Sequence, residues 1–145
     1  MKLEEQATNF ATMRHIERVR NLLNSFVVNL LKRGEEHDQS KLESPEVEAF
    51  TEFTSGLAGC TYGSPEYEQF KKSMAPALAH HPEHHKNGID DMTLLDIVEM
   101  LVDWKAASER HNDGNILKSI EKNADRFKMS PQLVRILENT AKLFD

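Results

Sequence analysis

The feature that most constrains the fold is a long stretch near the amino terminus that nothing interrupts. From about Ala7 to Arg33 the chain contains neither proline nor glycine. Its apolar residues recur every three or four positions, which is the spacing of one face of an α-helix. The stretch therefore predicts one long helix that ends at Gly34 or one turn later. The residues of its apolar face are Ile16, Val19, Leu22, Leu23, Phe26, Val27 and Leu30.

Further helices are indicated by start signals along the rest of the chain. In three places a serine, whose hydroxyl can cap free backbone amides, precedes a proline at the first helical position. The alternation typical of strands is absent. The sequence therefore predicts an all-α fold, a single compact helical domain over residues 1–145 with the long N-terminal helix and about six helices in all. The later helices are expected at Ser44 to about Phe53, Pro65 to about Ala79, Met92 to about His111, Asn115 to Phe127 and Ser130 to about Phe144.

Charge and cysteine content argue against several classes of protein. The 145 residues carry a formal net charge of −6, which argues against nucleic acid as the main partner. The single cysteine, Cys60, cannot form an internal disulfide, and this fits a reducing compartment. No apolar run reaches the ~18 residues that a membrane helix needs, and the start of the chain is too polar for a signal peptide. We therefore expect a cytoplasmic protein with no membrane segment.

The predicted helix from Met92 to Arg110 separates apolar from acidic residues. On a helical wheel Asp96, Glu99, Asp103 and Arg110 fall together on one side. Two interpretations stay open at this point, because the acidic stripe can face solvent or can face a polar pocket. The broad opposite side is formed by Leu94, Leu95, Ile97, Val98, Leu101, Val102 and Trp104.

Candidate metal ligands occur in four places along the chain. The pair His37–Asp38 lies at the end of the long helix, where the backbone changes direction and can aim both side chains at one ion. Upstream, His15 lies at the edge of the apolar face and is expected to point inward. Downstream are the histidine-rich segment His80–His85 and the carboxylate Asp103. Imidazole and carboxylate groups are common ligands of divalent metals, so the order His, His-Asp, His, Asp indicates a metal site.

Three further residues are candidates for a catalytic role beside such an ion. Lys41 could contact a phosphate group as a point charge, and the alternative is a salt bridge to Glu43 or Glu46. Glu83 or Glu99 could orient a water molecule or take its proton. The alternative for these two carboxylates is to support the ligands or to remain plain surface charge.

The histidine and aspartate pattern resembles the HD-domain metal-dependent phosphohydrolases. The resemblance is carried by His37-Asp38-x-Ser40-Lys41, by Arg14-His15-Ile16 before it and by Asp103 after it. It implies an HD-like all-α fold, one or two divalent transition-metal ions (Mn, Fe, Co, Ni or Zn), and hydrolysis of a small phosphorylated substrate, in most cases a nucleotide. The metal ligands that it implies are His15, His37, Asp38, His80, His81, His84 and Asp103.

A closer resemblance is to a small family of phage and bacterial proteins of unknown activity. If the chain is phage-encoded, the compartment is the host cytoplasm. Relatives are expected to carry a further histidine before HHPEH, whereas here Ala77-Leu78-Ala79 leads directly into it, so a ligand is missing or His80 replaces it. The shared motifs are HD-x-SKL (37–42), TYGS-x-EY (61–67), HHPEH (80–84), NGI-x-xM (87–92), EM-x-x-DWKAA (99–107) and RH-x-DGNI-x-KSI (110–120).

The long helix raises a geometric difficulty for His15. Along one straight helix, His15 and His37 would lie about 33 Å apart at about 1.5 Å per residue. Either the helix breaks near Asn24-Ser25, or His15 is not a ligand, or two chains pack their long helices antiparallel. The last arrangement predicts a homodimer in which His15 of one chain meets His37 of the other and two equal sites form.

Two other functions remain as alternatives to a phosphohydrolase of HD type. An all-α nucleotide pyrophosphatase would hold Mg²⁺ with the carboxylates Asp96, Glu99 and Asp103, but Mg²⁺ prefers oxygen ligands and would leave the histidines unused. A non-catalytic phage protein that blocks a host factor would fit the acidic charge balance equally well. Transition-metal dependence would favour the HD type, Mg²⁺ dependence the pyrophosphatase, and absence of turnover the interaction module.

Overall fold

The structure is a computed structural model that describes residues 2–44, 46–48, 51–52, 81–110 and 114–144, with only the backbone of Glu83. Within these ranges the regular elements are α-helices and short 3₁₀ turns, and no strand occurs. The prediction of an all-α fold is therefore confirmed. The helix expected at 65–79 and most of the turn at 112–114 lie outside the described residues.

The chain divides into two compact units, residues 1–37 and residues 38–145. The first unit consists of one helix, α1 (Leu3–Glu36). This helix begins earlier than expected, where the Glu5 carboxylate accepts a hydrogen bond from the Lys2 backbone amide at 2.9 Å. It continues through Gly34, and no break occurs at Asn24-Ser25. The helix is therefore continuous from the first turn to the residue before His37.

No residue of α1 is buried. The apolar face that the sequence predicts is present, but its side chains are open to solvent, with Leu23 61% and Val27 50% exposed. His15 is likewise exposed, so the expectation that it points inward is wrong. Within the first unit, a single helix has no second layer that could bury its apolar stripe.

Three α-helices of the second unit are described from end to end, each with a recognisable start. In α2 (Leu94–Ser108) the Thr93 hydroxyl accepts from the Asp96 amide, and the Asp96 carboxylate accepts from the Thr93 amide at 2.7 Å. Helix α3 (Ile116–Phe127) begins after Asn115, whose side chain accepts from the Leu117 amide at 2.8 Å. Helix α4 (Pro131–Ala141) begins after Ser130, as predicted. The 3₁₀ turns are Gln39–Leu42, Pro82–His84, Gly88–Asp91 and Lys142–Phe144, and the backbone is also helical at 46–48 and 51–52.

The core of the second unit lies where α2, α3 and α4 pack on one another. The Trp104 ring of α2 stacks on the Phe127 ring of α3, with centroids 6.3 Å apart and an interplanar angle of 5°. Pro82, at the start of a 3₁₀ turn, is also buried. Burial of such side chains supplies the main driving force for packing. The buried apolar residues of this core are Ile97, Met100, Leu101, Trp104, Ile116, Ile120, Leu137 and Ala141.

The buried side of α2 differs from the predicted one. Met100 is 1% exposed and belongs to the core, whereas Leu94 and Val102 are 71% and 43% exposed. The actual core stripe has the spacing i, i+3, i+4, i+7 from Ile97 to Trp104. The predicted side was too broad, because hydrophobicity alone does not tell which part of a wide apolar face the neighbouring helices cover.

None of the helices in the described part of the chain combines the length and the apolar character needed to cross a membrane.

Candidate functional site

The corner at His37–Asp38 follows directly on the end of α1. Helix α1 ends at Glu36, and His37 leaves the helix with φ −55° and ψ 122°. Asp38 follows in the left-handed region, with φ 57° and ψ 9°. Few residues other than glycine adopt this conformation, and aspartate is among those that tolerate it. Both side chains are half-buried at this change of backbone direction.

Asp38 has a cationic neighbour in the turn that follows. The Lys41 Nζ lies 2.6 Å from the Asp38 Oδ1, with the two side chains 13% and 34% exposed. The Lys41 amide also donates to the Asp38 carbonyl at 3.0 Å, which closes the turn. The structure thus pairs Lys41 with Asp38, a partner that the sequence analysis did not name for it. A lysine at this distance neutralises the carboxylate and limits its orientation.

Glu46 is a carboxylate that the sequence did not single out as a ligand. Its Oε2 is shielded from solvent and accepts no hydrogen bond within the described residues. The Asp38 Oδ1 is shielded from solvent as well, but the Lys41 Nζ meets it at 2.6 Å. A shielded carboxylate oxygen is costly unless a cation or a donor meets it. Glu46 is therefore a further carboxylate that a cation could bind, and no spacing rule in the sequence would have identified it.

The residues that most directly suggest a metal site are His81 and Asp103. His81 precedes the turn Pro82–His84, Asp103 lies on α2, and the His81 Nε2 is 3.9 Å from the Asp103 Oδ2. Two atoms that each lie about 2.1 Å from one ion can be at most about 4.2 Å apart. The observed separation is below this upper limit and somewhat above the separation of about 3.4 Å between two ligands of a tetrahedral ion. Both side chains are mostly shielded, with 21% and 24% exposed.

The other carboxylates of the α2 stripe have different surroundings. The Asp96 carboxylate accepts hydrogen bonds from the amide and the hydroxyl of Thr93, both at 2.7 Å, so it caps the helix. Glu99 is half-buried. The stripe is thus neither a plain solvated face nor a set of three carboxylates open to one ion. Asp103 is the member of the stripe that faces a histidine.

The remaining predicted site residues fall into two groups. His84 is exposed, and His15 is exposed on α1, 22 residues before His37 on an unbroken helix. The corresponding distance along the helix is about 33 Å, so His15 and His37 of one chain cannot bind the same ion. His80 and the Glu83 side chain lie outside the described residues.

Of the predicted ligands, the described residues bring together His81 and Asp103 and keep His37 beside Asp38. No group of three or more histidine, cysteine or acidic side chains arranged to hold a metal ion occurs among the residues described. A pair of ligands leaves the remaining positions of an ion to other groups.

Comparison with known proteins identifies a family. Neither the curated proteins nor the solved structures provide a match to this chain. One family model matches residues 4–143, which is nearly the whole sequence. The match includes α1, the His37–Asp38 corner and the pair His81–Asp103. The chain therefore belongs to DUF5662, a family of unknown function.

Proposed function

We propose that the protein is a metal-dependent phosphohydrolase of HD type that acts on a nucleotide or a related phosphate ester. The observation that carries the proposal is the approach of the His81 Nε2 to the Asp103 Oδ2 at 3.9 Å. These residues are 22 positions apart in the chain, and the sequence pattern had named both as ligands. A second support is the half-buried His37–Asp38 corner, where the chain leaves α1.

The donor set fits a divalent transition metal. Imidazole nitrogen suits Zn, Fe, Co and Ni, and carboxylate oxygen is accepted by all of them and by Mn. His81 and Asp103 would hold one ion together, and the sequence pattern proposes His37 and Asp38 as further ligands. His80 and His84 are the further ligands that the pattern proposes. A bound divalent ion polarises a phosphoryl oxygen and lowers the pKa of bound water toward neutrality.

The protein groups around this site would perform the remaining tasks. Lys41 keeps the Asp38 carboxylate in one orientation and provides a positive charge that can meet a phosphate group at the same corner. Glu99, half-buried on α2, or Glu83 would accept a proton from the attacking water. Asp96 is assigned to capping of α2, which makes a site of three α2 carboxylates for Mg²⁺ a weaker alternative.

The proposal is tested by a hydrolysis screen of nucleoside mono-, di- and triphosphates with the purified protein. Each substrate is assayed with Mn²⁺, Co²⁺, Ni²⁺, Zn²⁺ or Mg²⁺ alone. We expect phosphate release with at least one transition metal, and a loss of at least a hundredfold in His81→Ala and Asp103→Asn. Asp125→Asn, an exposed position on α3, is the matched control and should retain activity.

Turnover with Mg²⁺ alone would favour the pyrophosphatase. No turnover with any metal, or equal turnover in wild type and both site variants, would contradict the proposal. Unfolding curves of the variants would show whether any loss of activity reflects a loss of the fold.

We also propose that α1 forms an antiparallel homodimer. Three features support this. The helix is continuous and its apolar face is exposed. The spacing between apolar residues alternates between three and four positions at 16, 19, 23, 26 and 30. Such alternation is typical of helices that pack along their length on another helix. An antiparallel partner would bring His15 of one chain toward His37 of the other, which one chain cannot do.

The exposed face of α1 also favours a second candidate function, a non-catalytic module that binds another protein. An amphipathic helix can dock its apolar face on a groove of a partner. In that case Leu23→Glu would abolish partner binding, while metal removal would not affect it. A phosphohydrolase would instead lose activity with the metal.

A further inference from the structure

A cleft in the second unit lies next to the histidine-rich segment and is not explained by the metal site. It has a volume of about 400 Å³, within the range of about 300–1,000 Å³ of small-molecule sites. Its walls come from the segment that follows His81 and from the end of α3. The lining residues are Pro82, His85, Gly88, Arg126, Phe127 and Lys128.

The lining of this cleft is cationic. Arg126 and Lys128 carry full positive charges, His85 offers a ring nitrogen, and the lining residues that the structure describes include no carboxylate. The chain as a whole has a formal net charge of −6, so the positive charge of the cleft is opposite in sign to the net charge of the protein. Asp91, whose carboxylate accepts hydrogen bonds from Asn87 at 2.9 to 3.1 Å, and Asp90, which lines an adjoining cavity, are not among the described lining residues. A local concentration of positive charge attracts anions.

Arg126 is held at the cleft by an aromatic ring. Its guanidinium carbon lies 4.9 Å from the centre of the Phe127 ring. This distance is within the range of a cation–π contact, which orients the guanidinium group. The same Phe127 ring stacks on the buried Trp104, so the support of Arg126 extends into the core. A planar guanidinium fixed in this way suits bidentate recognition of phosphate oxygens.

Lys128 occupies a backbone position that glycine would fill more easily. It ends α3 with φ 52° and ψ 44°, and its amide donates to the carbonyls of Ala124 and Asp125. Glycine is the common residue at a left-handed helix end, because it has no Cβ to clash. A lysine is therefore not required by the helix end, and its side chain belongs to the cleft. An unfavourable backbone conformation retained at a cleft is a reason to look for function.

Two chain segments connect the cleft to the proposed metal site. His81 is followed by the cleft residue Pro82, and Asp103 is followed by Trp104, which stacks on the cleft residue Phe127. We infer that this cleft binds a phosphate group through Arg126 and Lys128. Resting on the proposed function, the phosphate belongs to the substrate and lies beside the His81–Asp103 pair.

The inference is tested by NMR titration of metal-free, EDTA-treated protein with inorganic phosphate, AMP and ADP. We expect saturable shifts of the amides of residues 85, 88 and 126–128. Arg126→Gln and Lys128→Gly should each weaken phosphate binding by about tenfold or more, as loss of one charge-assisted contact implies. Lys128→Arg should retain binding. Lys118→Gln, an exposed position on the same helix, is the matched charge control and should behave as wild type.

The Lys128→Gly variant separates binding from folding. Glycine is favoured at this backbone position, so the variant should unfold at a higher denaturant concentration than wild type and yet bind phosphate more weakly. Loss of binding could not then be ascribed to loss of the fold. Absence of phosphate binding in wild type would overturn the inference, and so would equal binding in wild type, Arg126→Gln and Lys128→Gly.

The three ligands distinguish the source of the phosphate. Tighter binding of AMP or ADP than of inorganic phosphate indicates the phosphate of a nucleotide substrate, and equal affinity indicates a site for free phosphate. The titration contains no metal and needs no turnover. Phosphate binding by a protein that never binds metal would therefore support the phosphate site and contradict the proposed phosphohydrolase activity. Failure of one hypothesis can thus be told from failure of the other.

Discussion

Asp38 combines two properties that a single residue seldom needs for folding alone. Its backbone is left-handed, and its side chain is paired with Lys41 at 2.6 Å. The left-handed conformation costs a non-glycine residue roughly 1 kcal/mol. Asparagine adopts this conformation about as readily as aspartate. The conformation turns the chain at the end of α1 and sets Asp38 beside His37. The local cost is thus incurred at the residue that the pattern names as a ligand.

Substitution Asp38→Asn tests this interpretation at the residue scale. Asparagine keeps the left-handed turn but removes the charge, so we expect the free energy of unfolding to change by no more than about 1 kcal/mol. The bound transition metal should be lost, because a neutral amide is a weak ligand. Urea unfolding and elemental analysis of the same preparation measure both effects. Full metal content in this variant would remove Asp38 from the ligand set.

The hydrogen bonds of Asp91 allow a prediction about the stability of the fold in acid. The pKa of its carboxyl is lowered from 3.8 by hydrogen bonds from the Asn87 side chain and backbone amide, and by the nearby His85. Since the folded pKa lies below the unfolded one, this contribution to stability is present above the unfolded pKa and is lost as pH falls through the folded pKa. We expect Asn87→Ala to raise the pKa of Asp91 toward its ordinary value. An NMR titration of the Asp91 carboxyl carbon measures the shift, and Asn123→Ala should leave it unchanged.

At the scale of elements, the backbone conformation at the end of α3 predicts a stabilising substitution. Lys128 is left-handed there, and glycine avoids the steric cost of its Cβ. Lys128→Gly should therefore raise the free energy of unfolding by about 1 kcal/mol, measured by urea denaturation. A decrease would mean that Lys128 contributes packing that compensates for its backbone.

Helix α4 offers two adjacent apolar residues with opposite surroundings. Leu137 is 2% exposed in the core, whereas Ile136 is 59% exposed. Leu137→Ala should lower the free energy of unfolding by about 2–5 kcal/mol through lost burial and a residual cavity. Ile136→Ala should change it by less than about 1 kcal/mol, because it removes little buried area. Similar losses in the two variants would contradict the packing of α4 on α2 and α3.

Sequence information was sufficient for the elements that begin with local signals. The starts of α3 and α4 follow from Asn115 and from Ser130-Pro131, because a cap binds amides only two or three residues away. The core stripe of α2 was only partly predicted, since Met100 is buried by helices far away in the chain. The same limit applies to the site. His81 and Asp103 have residue types that suggest a ligand, whereas Glu46, Arg126 and Lys128 acquire their surroundings only when the chain folds.

At the scale of the whole molecule, the proposed homodimer can be tested by measuring metal binding. His15→Ala and His37→Ala should each lose metal from sites that need both residues. If His15 of one chain completes the site of the other, mixing the two variants restores one intact site in each heterodimer. Elemental analysis after subunit exchange, with the mass in solution measured by light scattering, tests this. A monomeric wild-type protein, or no recovery of metal in the mixture, would exclude His15 from the site.

The central claim is that His81 and Asp103 bind a transition metal, and the most direct test is the metal content of the protein. Wild type, His81→Ala, Asp103→Asn and the control Asp125→Asn are purified without an affinity tag or added metal and measured by elemental analysis. We predict one or two transition-metal ions per chain in wild type and control, and a loss in both site variants. Wild-type protein that holds no metal even after Mn²⁺ or Zn²⁺ is supplied, or site variants that retain the full content, would contradict the claim.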